Sequence, residues 1–152
     1  MKSGAKSSRT SKKVGEFMNI DVILNKVAII DRCIMRINEE YKNNPENLNN
    51  FTKQDSIVLN LQRACKASID LAMYICSQRK LGLPGSSRDA FILLAQNNTI
   101  TNESTEKMLK MVGFRNIAVH DYQTLNLLIL QSILENHLQD FTKYTKLILD
   151  NI

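Results

Sequence analysis

Ile23, Val27, Ile30, Ile34, Ile37 and Tyr41 recur at alternating steps of four and three. On a helix that turns about 100° per residue, this spacing makes one apolar stripe, the seam along which helices pack into a bundle. Near the far end of the chain Leu127, Leu130, Leu134, Phe141, Tyr144 and Ile148 repeat the pattern, with His137 on the same stripe as a packed or partly exposed structural residue. Between these stripes lies a segment with two apolar faces. Val58, Cys65, Ala72 and Cys76 fall on one, and Ile57, Leu61, Ala64, Leu71 and Ile75 on the other, so this helix belongs in the middle. No stretch of useful length alternates with the period of a strand, and there is no internal repeat or glycine-rich phosphate loop. The chain therefore reads as an all-α, up-and-down helical bundle of four long helices and one short one. Long helices with a second apolar face commonly bury it against another subunit, so a symmetric homodimer is expected.

Punctuation divides the pattern. Asn43-Asn44-Pro45 ends the first helix, and Thr52 is a candidate cap for the second, with Asp55 in place of the usual glutamate. Leu81-Gly82-Leu83-Pro84-Gly85 breaks the chain before a short helix over Ser87–Gln96, with Phe91, Leu94 and Ala95 inward. Thr101 caps a helix over Asn102–His120, and the last helix is expected over Thr124–Asp150.

The net charge is +5, but Lys2, Lys6, Arg9, Lys12 and Lys13 against Glu16 give the first 17 residues +4 of it and leave +1 for the rest. The basic character thus belongs to a Ser/Lys-rich tail, residues 1–17, read as a disordered leader or upstream extension, with a basic RNA-binding arm as the alternative. Met18 opens the folded segment 18–152, one helical domain whose body has no strong general affinity for nucleic acid. No apolar run reaches the roughly 18 residues of a membrane span and no secretory signal is present, so no membrane partner is expected and the chain reads as cytoplasmic. Cys33, Cys65 and Cys76, odd in number and each inside a helical pattern, read as buried thiols of a reducing compartment. With two histidines far apart and no H-E-x-x-H, no metal site is expected, and nothing calls for a cofactor.

The chemistry concentrates in Gly113-Phe114-Arg115-Asn116-Ile117-Ala118-Val119-His120-Asp121-Tyr122, at the end of the fourth helical segment. Arg115 and Tyr122, seven apart, fall on nearly the same helix face, and His120 lies about 140° round from Arg115 while the helix is regular. A fixed cation, a group that titrates near neutrality and a phenol suit phosphate chemistry. By spacing alone, the same residues could simply close a helix C-terminus. Gly113 inside a helix costs about 1 kcal/mol relative to alanine, and its reading here is close approach by a neighbouring helix or subunit.

Arg115 to Tyr122 resembles the R-N-x-x-V-H-x-Y signature of the HepT-like branch of the HEPN superfamily. Leu61 to Ala72 resembles that family's long second helix, and the Leu83-Pro84 turn followed by Phe91-Ile92-Leu93-Leu94 is similar to the segment leading into its motif helix. The likeness covers about residues 19–150. It implies a homodimeric, metal-independent endoribonuclease toxin of a toxin–antitoxin pair. Cutting RNA without a metal needs a base for the 2′-hydroxyl proton, an acid for the leaving 5′-oxygen, and a cation for the phosphoryl oxygens. His120 suits proton transfer, and the planar fork of Arg115 suits the phosphate. One histidine can hardly serve as base and acid at once, and a dimer that gathers two Arg115/His120 pairs in one cleft removes the difficulty. The resemblance thus implies that Arg115 and His120 are catalytic. Asn116 either orients a phosphate or bonds backbone near the helix end. Asp121 either tunes the imidazole or is solvated.

Tyr122, by the same resemblance, is the acceptor of AMP transferred by a cognate minimal nucleotidyltransferase antitoxin, which would fill the cleft with charge and bulk. Its alternative is a tyrosine packed over the next helix. A non-catalytic helical module that binds nucleotide or the transferase, and a purely structural helical dimer, are the rival readings of the whole.

Overall fold

The computed structural model describes residues 19–120 and 126–152, with side chains up to residue 117 in the first stretch and from 126 in the second. The basic tail 1–17 lies outside the described residues. All regular structure among them is helical: α1 (Ile20–Tyr41), a 3-10 helix (Pro45–Asn49), α2 (Phe51–Gln78), α3 (Ser87–Gln96), α4 (Asn102–His120), α5 (Leu127–Asn136) and α6 (Leu138–Asp150).

Local chemistry sets each start. Asn19 caps α1, its carboxamide oxygen accepting from the Asp21 N–H at 2.9 Å, and the backbone of Asn19 donates to the Tyr74 hydroxyl on α2. The expected stripe is buried at Ile23, Ile30, Ile37 and Tyr41, with Cys33 beside it. Lys42 and Asn43 then take left-handed backbone and stop the helix. Asn50 caps α2, accepting from the Lys53 N–H at 3.0 Å, so Thr52 is already inside the helix and is not the cap. The short 3-10 helix that starts at Pro45 was not anticipated. It delivers Asn50 in extended backbone, and asparagine is the stronger capping residue. At α3, Ser86 accepts from the Asp89 N–H while the Asp89 carboxylate accepts from the Gly85 N–H. Thr101 caps α4 through the Ser104 N–H, as the sequence indicated.

At 28 residues, about 42 Å, α2 is the axis of the bundle. It packs on α1, α3, α4 and the 3-10 helix, and both of its apolar faces are buried. Tyr144 of α6 is wholly buried, donates to the Ser68 carbonyl of α2 at 2.9 Å and meets the Phe91 ring of α3 edge-on with centroids 5.5 Å apart. One side chain thus ties three helices together.

The last helix, expected as one rod, is two. His137 breaks it with φ −127° and ψ −1°, and its Nδ1 lies 3.0 Å from Asp140 Oδ2 in the first turn of α6. The break lets α5 lean on the 3-10 helix, where Glu135 accepts a short hydrogen bond from Tyr41 at the end of α1. The apolar spacing runs through the kink unchanged, which is why periodicity alone could not reveal it. The three cysteines are buried and unbridged, as expected. Among the described residues no helix is long and apolar enough to cross a membrane.

Candidate functional site on the last turns of α4

Three residues seat the motif helix. Met111, Val112 and Phe114 are buried, and the Cys65 thiol of α2 lies 3.7 Å from the Met111 carbonyl. One turn further, Arg115 is half-buried over this seam. Its Nε is buried and has no hydrogen-bond partner among the described residues. Burial pushes the Cys65 thiol up to about 12, and the Arg115 guanidinium opposes that rise. Arg115 therefore stands with its Nε buried at the helix seam and with donors left uncommitted among the described residues, a suitable posture for an arginine awaiting an anion.

Asn116 and Ile117 follow and are exposed. The α-helix continues through His120, so its Cα lies about 7.5 Å beyond that of Arg115 along the axis and about 140° round it. The two backbones thus stand on different sides of one helix. The imidazole of His120 lies outside the described side chains, and Asp121 and Tyr122 outside the described residues.

Exposed apolar surface flanks the motif, and the sequence reading missed it. A groove of about 450 Å³ runs between α4 and α5, lined by Lys107, Met111, Phe114, Ile117, Ile129 and Ile133 among others. Ile117 is 54% exposed and Ile129 53% exposed. Gly113 opens into it, and a Cβ built there meets nothing within 4 Å. Among the described residues Gly113 therefore has no close neighbour, and the packing role expected from sequence is not found there. The three-residue spacing of Met111, Phe114 and Ile117 is the sequence signal for this face.

The described bundle is built round the long α2, with R-x4-H on the last turns of α4, which packs on α2, α3 and α6. The chain belongs to the ribonuclease HepT-like family, whose model matches residues 30–148. It is similar to the mRNA nuclease HepT of Shewanella oneidensis, 52% identical over 128 residues that make up 84% of this chain and 96% of that protein. Among solved structures it resembles the tri-AMPylated Shewanella oneidensis HEPN toxin in complex with MNT antitoxin. There the TM-score is 0.81 at 51% identity, covering 88% of this chain and 99% of the other. It also resembles a toxin–antitoxin crystal structure with AMP-PNP, at TM-score 0.82 and 51% identity over 86% of this chain and 98% of the other. At 13% identity the Bacillus subtilis protein YutE shares the fold alone, with TM-score 0.76 over 88% of this chain and 90% of that one.

Proposed function

We propose that this chain is the toxin of a toxin–antitoxin pair, an endoribonuclease that cuts RNA without a metal and is silenced by AMP transfer to Tyr122. The observation that carries this reading is its 52% identity, across nearly the whole of an mRNA nuclease, in a chain that retains the complete R-N-x-x-V-H-x-Y signature.

In this mechanism Arg115 holds two phosphoryl oxygens and stabilises the charge that grows on them. One His120 imidazole takes the proton from the 2′-hydroxyl, whose oxygen attacks phosphorus. The imidazolium of a second copy of the chain gives its proton to the departing 5′-oxygen, leaving a 2′,3′-cyclic phosphate. The separation of Arg115 and His120 around α4 supports a site built from two copies, and the exposed apolar groove beside them supplies a face for that contact. Asn116, exposed next to Arg115, steadies the bound phosphate. AMP on Tyr122 would add an anion and a purine to the same cleft, and a minimal nucleotidyltransferase is its donor enzyme. Three buried, unbridged thiols fit a reducing, cytoplasmic setting.

Cleavage of RNA in the presence of EDTA tests the reading. Wild-type protein should cut, while Arg115→Ala and His120→Ala should lose about 100-fold or more in rate with helicity and dimeric mass retained. Cleavage that survives in both variants would overturn it. Mass spectrometry after co-expression with the transferase should find AMP added to the peptide that holds Tyr122, and none after Tyr122→Phe.

A further inference from the structure

A second cavity, of about 290 Å³, lies between the first turns of α4 and the length of α6. Two nearly sealed polar side chains line it. Asp140 is 3% exposed and Ser104 is 7% exposed, yet Asp140 Oδ1 and Ser104 Oγ have no hydrogen-bond partner among the described residues. The other Asp140 oxygen is engaged by His137 Nδ1, which fixes the carboxylate and leaves Oδ1 buried without a partner among the described residues. A buried acceptor left unpaired costs roughly 1–3 kcal/mol, so two at one cavity mark a place built for a group that supplies hydrogen bonds. Leu147 and the aliphatic stems of Lys107, Lys143 and Lys146 form the walls. Lys146 is paired with Asp150, whereas Lys107 and Lys143 form no ion pair among the described residues.

Buried polar groups, apolar walls and two cations without an ion pair, at a lining that Glu103 shares, describe a receptor for a flat heterocycle carrying hydrogen-bond donors and attached to phosphate. Lys107 and Asp140 also line the near end of the apolar α4–α5 groove, so the cavity adjoins the face proposed for the second copy. From Ser104 to Arg115 is eleven residues, about 16 Å along the helix. We propose that this cavity is a base-binding subsite, holding one unpaired nucleobase of the RNA a few nucleotides from the bond cut at Arg115. A donor on the base edge bonds Asp140 Oδ1, Ser104 Oγ bonds its neighbour on the ring, and Lys107 and Lys143 take the adjoining phosphates. The assignment rests on the ribonuclease reading for the strand that passes, but not for the pocket that receives a base.

An abasic scan tests it. A short unstructured RNA with a single cut site carries an abasic position at each nucleotide in turn, and full-length protein is assayed as wild type, Ser104→Ala and Asp140→Asn. One offset, separate from the nucleotides flanking the cut, should slow the wild type about tenfold. In either variant the intact RNA should be slower by a similar factor, and the abasic position should then matter less than twofold. Sensitivity confined to the flanking nucleotides, or full sensitivity persisting in Ser104→Ala, would overturn the proposal. Should wild type cut no RNA, the ribonuclease reading fails by itself. The same scan by fluorescence anisotropy of the bound strand then decides the pocket, a tenfold weaker affinity at one offset supporting it and a flat scan refuting it.

Discussion

Arg115 and Cys65 form the most informative pair of residues, because the helix seam that buries the thiol also steadies the arginine. A thiol raised from its ordinary 9.0 to about 12 is protonated in the fold where the unfolded chain would ionise. Its contribution to stability is complete below pH 9 and is lost as pH rises from there toward 12, since the unfolded state then holds fewer protons. Denaturant midpoints measured between pH 8 and 11 should therefore fall with pH, and Cys65→Ala should flatten that fall. Native Cys65 should also resist alkylation at pH 8 and react only after unfolding. Arg115→Lys is not a mild change: a point charge cannot fork onto two phosphate oxygens, so cleavage should drop by at least about tenfold with little change in melting temperature.

At the scale of elements, caps and kinks were less legible than stripes. The buried positions of α1 and α2 follow directly from residue spacing, because burial of one face is what that spacing encodes. The start of α2 does not. Thr52 and Asn50 are both good capping residues, and the choice was made by the 3-10 helix upstream, a tertiary preference with no local period. Asn50→Ala should accordingly cost about 1 kcal/mol in urea unfolding, and Thr52→Ala less than about 0.5 kcal/mol. His137 is similar. Its place on an apolar stripe suggested a continuous helix, but its bond to Asp140 and the lean of α5 toward Tyr41 divide the rod without disturbing the stripe. The end of α4 was the easiest element to find as a motif, yet the groove beside it became apparent only when α5 was folded against α4.

For the whole molecule, the identity of the bundle and its family were readable from one signature and the order of helices. How two copies would meet in the proposed site is not encoded in residue spacing, and Gly113 offers a test of it. In an isolated protomer Gly113→Ala should stabilise the helix by up to about 1 kcal/mol, since the new methyl group meets open space. If a second copy seats on the α4–α5 groove, the same substitution should weaken the dimer instead, as sedimentation against concentration would register.

The central claim is that the proton-transfer groups of one cut come from two copies of the chain, and subunit mixing tests it most directly. Wild type and His120→Ala protein are exchanged to equilibrium at a fixed total concentration, and RNA cleavage in EDTA is followed as the wild-type fraction is varied. With both imidazoles needed in one cleft, activity falls as the square of that fraction and stands at about one quarter when half the subunits are wild type. Activity that falls in direct proportion, to about one half, would mean that each copy cuts alone and would contradict the shared site.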